Sequence, residues 1–352
     1  MGIIRTLLAT SVVFGHTWPC GALLVGGQKA VQLFYIISGF LISYVLTERC
    51  KYTKISNFYI NRYLRLYPIY IFVALLTLLV FIATEDDSFI NVYKYTPLFA
   101  NLFLIFSNIF IFTQDWILFS GIENNTLVFS ANYISSKIQM HEGLLVPQAW
   151  TLGLELSFYL VAPLILPKRN LIYLFLSISI LISIYLNCIG LGNKDPWSYR
   201  FFPAELLFFL LGALSHQLLL PFYKKFFIQD KKLISNISTI FLIILITFYP
   251  YISFFGLNKN IFLFSTFIIF LPFSFVFQNQ YNFDRLIGEI SYPIYIIHVL
   301  VMYIVNYFAC KIEIDNKYFI SLLCVFVSII FSLLLNKFLA EPFEKIRNKI
   351  RH

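Results

Sequence analysis

Charge is scarce in this sequence. Only 12% of its 352 residues are Asp, Glu, Lys or Arg, about half the share of an ordinary soluble domain. Cysteine is scarce too. Five are scattered (Cys20, Cys50, Cys188, Cys310, Cys324), with no C-x-x-C pair and no Cys/His cluster. That argues against a disulfide framework or a zinc site. The first apolar run lacks a small-residue cleavage site and reads as a retained span rather than a signal peptide. No internal repeat, low-complexity tract, linker or long soluble stretch interrupts the chain. One membrane-embedded domain over 1–352, with no appended soluble domain, is the simplest organisation.

Apolar residues make up 59% of the chain, with 41 Phe and 23 Tyr. They fall in runs that read as helices: 3–19, 31–47, 66–84, 98–113, 149–166, 170–189, 201–220, 233–253, 260–277, 290–309 and 317–336. The fold class expected is an all-α polytopic membrane bundle. Basic residues cluster at 48–65, at Lys168 and Arg169, at 224–232, at Arg285 and in the tail. With Arg5 these places hold 18 of the 26 basic residues. Cytoplasmic loops carry the Lys/Arg excess, so the net charge of +9 marks orientation and calls for no nucleic acid. The alternation fits about ten crossings with both ends inside. It fails if 98–113 also crosses. That run spans about 24 Å as a helix against roughly 30 Å of hydrocarbon, and it carries Asn101 and Asn108. We read 98–119 as a re-entrant or partly inserted element, with a full eleventh span as the alternative. The polar connection 120–148 is placed outside, as a lid or binding element.

Several ionisable residues sit inside this apolar frame. His16 lies eleven residues beyond Arg5, about 16 Å deeper and on nearly the same helix side. An imidazole at such depth is a functional candidate, weighed against a structural hydrogen bond to a neighbouring helix. Arg62 and Arg65, three apart, share a helix face. They serve either as positive-inside anchors or as a fork for phosphate. Glu155 lies just inside an apolar run and needs a cation, a histidine or a proton. With His16 it makes a base and its orienter. The alternative is a structural carboxylate bonded to Ser or Tyr. Ser38 and Gly39 suit close helix packing, with ligand approach the weaker reading. Arg200, with Glu205 just within, is a rim anchor or an acceptor contact. Tyr292 and His298 are read in the same two ways, and Asp115, Glu123, His141 and Glu142 as external and solvated.

In order along the chain, these motifs resemble the acyltransferase family 3 membrane proteins, multi-span O-acyltransferases of bacterial surface polysaccharides. Arg5 and His16 match the family's opening pair. "VQLFYIISGFLI", "RYLRLYP", "WTLGLELSFY", "FLLGALS", "ISYPIYIIH" and "AEPFEK" follow in sequence. Gln32 stands where the family often has an acidic residue. The resemblance implies transfer of an acyl group, acetyl by expectation, from acyl-CoA to a hydroxyl of a glycan or lipid-linked saccharide. It also implies a multi-pass protein of the bacterial inner membrane. Acetyl-CoA is then a co-substrate, with no resident cofactor and no metal. Arg5, Arg62, Arg65 and Ser38 go to acyl-CoA. His16 acts as base or covalent acyl carrier, and Glu155 orients it or compensates its charge. Two other functions compete. A transporter or flippase of lipid-linked sugars would need inverted halves, which the sequence lacks. An acyltransferase of a small molecule or lipid would share the same donor side.

Overall fold

The computed structural model describes residues 1–21, 23–49, 54–226, 231–253 and 258–350. Cys50, Lys51 and Arg351 lie outside the described residues. The helices are α1 Gly2–Thr17, α2 Gly27–Tyr44, α3 Ile55–Thr84, α4 Asp87–Tyr95, α5 Leu98–Phe110, α6 Gln114–Ile117, α7 Trp150–Ile165, α8 Arg169–Cys188, α9 Phe202–Leu214, α10 Leu220–Phe226, α11 Lys231–Phe248, α12 Lys259–Gln280, α13 Asn282–Glu289, α14 Ser291–Lys311, α15 Lys317–Leu335 and α16 Glu341–Ile350. A hairpin of β1 Ser120–Glu123 and β2 Thr126–Phe129 lies between α6 and α7. The fold is the expected all-α polytopic bundle, with this hairpin as an addition.

Among the described residues, eight helical segments are long and apolar enough to cross a membrane. Two of the ten expected crossings, α1 and α7, are helices of 16 residues each, about 24 Å. The α1 helix stops early because Trp18 precedes Pro19, which pushes it out of the helical region. Trp18 is extended, at φ −73 and ψ 128. The α3 helix starts at Ile55, well before the apolar run at 66. The polar stretch "NFYINRYLR" is therefore helical, and Arg62 and Arg65 lie inside α3. The α5 helix has 13 residues, about 20 Å. It ends where Ile111 and Thr113 take positive φ.

The chain forms two compact units. The first comprises Met1–Lys51, Ala162–Leu176 and Leu207–Phe338. Its centre is α1, which buries Ile4, Leu8, Val12 and Val13. The N-terminal amides of α1 need acceptors, and Asp284 supplies them. Its carboxylate accepts from Gly2 N at 2.7 Å, Ile3 N at 2.8 Å and Met1 N at 3.0 Å. The approach needs glycine: a Cβ on Gly2 would lie 1.6 Å from the Asp284 carbonyl oxygen. Two motif glycines hold α2 against α9 in the same way. A Cβ on Gly39 would meet Phe209 O at 1.8 Å, and one on Gly212 would meet Ile36 O at 1.9 Å. This is the packing role expected of Gly39. At one end of this unit the backbone widens into π-helical turns at Val45–Arg49 and Ser215–Leu219. There Ser43 Oγ lies 3.0 Å from His216 Nδ1, and His216 Nε2 lies 3.1 Å from Glu48 Oε1.

The second unit comprises Tyr52–Val161, Ser177–Leu206 and Leu339–His352. Polar residues of 98–119 fasten the long connection that follows. Asn108 donates to Gly143 O at 2.9 Å and accepts from Leu145 N at 2.9 Å. Gln114 donates to the Tyr70 hydroxyl at 2.6 Å. Val92, Ala100, Leu104, Ile117, Met140 and Leu144 pack into a core beneath that connection. The hairpin turn is Asn124–Asn125, both at positive φ, as a two-residue turn between twisted strands requires.

The glycine contacts make a prediction. Gly39→Ala and Gly212→Ala each force α2 from α9 and should cost about 1–3 kcal/mol. Both relieve their clash by the same separation, so the double variant should be little worse than the worse single one. Thermal unfolding of the purified protein in detergent measures this. Fully additive losses would mean that the two contacts are independent.

Candidate active site

In the first unit, His16 occupies the last turn of α1, one residue before the helix ends, and is exposed. It stands at a helix mouth rather than on the flank of a longer helix. Its ring lies 5.3 Å, centroid to centroid, from that of His298 on α14. His298 is fully buried, and its Nδ1 lies 2.7 Å from Tyr295 O. A carbonyl only accepts, so Nδ1 carries the proton and Nε2 holds a lone pair. That Nε2 is buried without a hydrogen-bond partner. The structure thus pairs His16 with His298, which the sequence had left between acceptor contact and structural residue. Thr17 Oγ1 meets Ser321 Oγ at 2.7 Å and pins the end of α1 to α15. Gly15 leaves the last turn of α1 room against the Gly27 backbone, where its Cβ would lie 3.0 Å from Gly27 N. Arg5 on α1, Ser38 on α2 and Tyr292 on α14 belong to this unit and are half-buried.

In the second unit, Arg62 is 3% exposed. Its Nη2 reaches Asn61 Oδ1 at 3.4 Å, its guanidinium lies 5.8 Å from the Phe58 ring centroid, and its Nε has no hydrogen-bond partner. Among the described residues, no carboxylate stands within salt-bridge distance of it. A second guanidinium, Arg347 of α16, converges on the same residue. Its Nη2 lies 3.4 Å from Asn61 Oδ1 and its Nε 3.2 Å from Asn61 O, and Asn61 Nδ2 donates back to Arg347 O at 2.9 Å. Arg65, one turn along α3, is half-buried. Arg65 and Arg62 both act electrostatically on Tyr159 of α7. The Tyr159 hydroxyl donates to Glu155 Oε1, a partner anticipated in the structural reading of that carboxylate. Arg62, Arg65, Tyr159 and Glu155 all belong to the second unit. His16 and Glu155 belong to different units. Sequence reasoning missed Arg347, whose charge looked like a cytoplasmic marker, and also Asn61 and Tyr159.

Arg200 does not pair with the expected Glu205. It grips Asp195 in a bidentate ion pair, Nε to Oδ1 at 2.6 Å and Nη2 to Oδ2 at 2.9 Å. Its guanidinium stacks on Trp150 at 4.4 Å and Tyr199 at 4.6 Å. The Tyr133 hydroxyl donates to Asp195 Oδ2 at 3.0 Å, and Trp197 Nε1 donates to Ala131 O at 3.0 Å. These bonds tie two distant connections together. Burial, and then Arg200, hold the His141 imidazole below its usual range, against the pull of Asp195. His141 is half-buried, while Glu123 and Glu142 are exposed as expected. Asp115 is not solvated as expected: it is 2% exposed.

Residues 1–337 match the model of a family described as an acyltransferase domain. An uncharacterized protein of Aquifex aeolicus (strain VF5) is 26% identical over 208 residues, which cover 57% of this chain and 89% of that protein. No solved structure matches the chain.

The Asp195 knot makes its own prediction. Asp195→Ala removes a charge-assisted pair and frees Tyr133, so the 118–148 connection should open more often. Hydrogen exchange in that stretch should rise about tenfold or more, as expected for a loss of about 1.5–3 kcal/mol, while α1 and α14 exchange as before. Unchanged exchange in 118–148 would show that the knot does not hold the connection.

Proposed function

The chain belongs to this acyltransferase family and is a membrane acyltransferase, and from that premise we propose that it moves an acyl group, acetyl in our reading, from cytoplasmic acyl-CoA to a hydroxyl of a cell-surface or lipid-linked glycan. One observation carries the donor half. Arg62 is buried with no carboxylate in salt-bridge reach among the described residues, and a second guanidinium converges on the same asparagine. A buried charge is costly unless it is paired. An anion beside Arg62 removes that cost. Acyl-CoA carries phosphates, and a guanidinium fork fits phosphate oxygens. Arg62 supplies charge from beneath, and the half-buried Arg65 supplies the accessible fork.

The acceptor hydroxyl attacks the thioester carbonyl, and His16 takes its proton as the new C–O bond forms. The C–S bond then breaks, and His16 returns the proton to the leaving sulfur. His298 is a positioning residue. Its tautomer is set by the Tyr295 carbonyl, so Nε2 accepts from His16 when His16 becomes charged. Tyr159 holds Glu155 in place within the second unit. The basic clusters favour cytoplasmic termini, and in this reading the protein is a multi-pass component of the bacterial inner membrane.

Two outcomes test this reading. Arg62→Gln with Arg65→Gln should weaken binding of labelled acetyl-CoA to detergent-purified protein about tenfold or more. Arg347→Gln should share in the loss. Unchanged affinity in the double variant reduces the pair to orientation signals. His16→Ala should lower acyl transfer roughly 100- to 10,000-fold with binding retained. His298→Phe, which keeps a ring but removes the lone pair, should lower it less and shift its pH profile. Mass spectrometry of surface glycans from cells with and without the chain reads the acceptor. An inserted, folded His16→Ala protein with wild-type acetylation would remove His16 from catalysis.

A further inference from the structure

The second unit contains a cavity of about 600 Å³, walled by α5, α6, the hairpin and the start of α9. That volume falls within the roughly 300–1,000 Å³ of small-ligand sites. The wall is mostly aromatic. Trp116 and Phe129 line it while remaining 61% and 70% exposed. Phe119, also on the wall, stacks parallel to Phe129, with ring centroids 6.3 Å apart, and Trp197 packs edge-on against Phe119 at 5.1 Å. The Phe129 ring is thus held by its aromatic neighbours.

Two charged residues complete the wall. Arg200 is already neutralised by the bidentate contact with Asp195. Asp115 is different: it is 2% exposed, and its Oδ1 has no hydrogen-bond partner. The carboxylate fits because α7 has a glycine beside it. A Cβ on Gly153 would lie 2.6 Å from Asp115 Oδ1. This glycine belongs to the "WTLGLELSFY" stretch that also carries Glu155. A buried carboxylate oxygen without a donor is costly. A ligand that brings a donor removes that cost.

The chemistry of the wall narrows the ligand. The one cation among the lining residues, Arg200, is already paired with Asp195, so a phosphate or a second acyl-CoA does not fit. Arg200 on the same wall, and the lack of a second carboxylate among the lining residues, disfavour a cation. What fits is a neutral molecule with an apolar face for Trp116 and Phe129 and hydroxyls for Asp115. A pyranose ring has both. We infer that this cavity is a saccharide-binding site, in which a sugar ring lies against Trp116 and Phe129 and donates a hydroxyl to Asp115. Resting on the acyl-transfer reading, it is the subsite that holds the acceptor.

The test uses the full-length protein in lipid nanodiscs. The probes are the methyl glycosides of glucose, galactose and N-acetylglucosamine, followed by saturation-transfer NMR, with octan-1-ol as a chain-like competitor. At least one glycoside should receive saturable transfer, strongest on one ring face. Asp115→Asn and Phe129→Ser should each weaken that binding tenfold or more. Phe129 is largely exposed, so its replacement leaves the core intact. Octan-1-ol should not displace the sugar, and acetyl-CoA binding to both variants should stay within twofold of wild type. Four results would overturn the inference: no transfer to any of the three glycosides, equal transfer in the variants, displacement by octan-1-ol (which makes the cavity a slot for a lipid chain), or joint loss of acetyl-CoA and sugar binding in Phe129→Ser. Failure of the wild type to bind acetyl-CoA would instead remove the acyl-transfer reading and leave the sugar site standing.

Discussion

A charge inside an apolar bundle has to meet an opposite charge, a hydrogen-bond donor or a substrate. Most of this structure follows from how each ionisable group meets that demand. Asp284 meets the open end of a helix. Arg200 meets Asp195 and two aromatic faces. Glu155 meets the Tyr159 hydroxyl. Among the described residues, Arg62, the Nε2 of His298 and the Oδ1 of Asp115 keep unfilled hydrogen-bonding capacity. They represent three chemistries, a cation, a neutral acceptor and a carboxyl group. The acyl transfer we propose would use each of them in a different way.

The glycines are the steric counterpart of that demand. Charges and carbonyls reach their partners only where a side chain is missing. Gly2 lets α1 reach the Asp284 segment, Gly153 gives the Asp115 carboxylate room against α7, and Gly39 and Gly212 let α2 and α9 touch backbone to backbone. Glycines that look merely permissive in an apolar sequence are, at these four positions, the places where polar or backbone atoms come closest.

Much of this was legible in the sequence, and what was not has physical causes. Apolar runs located the main helices because burial in lipid imposes hydrophobicity along the whole length of a span. They misplaced the start of α3, because an amphipathic entry such as "NFYINRYLR" is helical without being apolar. The dipeptide Trp18–Pro19 already announced the end of α1, one residue past His16. Asn124–Asn125 between two short β-prone stretches likewise announced the hairpin. The convergence of Arg347 on Asn61, the pairing of His16 with His298 and the burial of Asp115 were not legible. Each depends on residues far apart in the chain, and periodicity reports only near neighbours. Arg200 shows the reverse error: its partner was sought five residues ahead, at Glu205, and stands five residues behind, at Asp195.

The cap on α1 bears on the order in which the protein is made. The helix that carries His16 is made well before the carboxylate that accepts from its first amides, which is 281 and 282 residues further on. Until α13 has been synthesised, α1 waits with its leading amides unanswered by Asp284. His298, the ring beside His16, follows later still. Closing so long a loop carries an entropic cost that grows only slowly with length, so the final structure loses little by it. The nascent chain, however, carries α1 uncapped throughout the synthesis of everything between it and α13. Assembly of the histidine pair thus waits for residues beyond 284, and chains that stop short of residue 284 end with α1 uncapped.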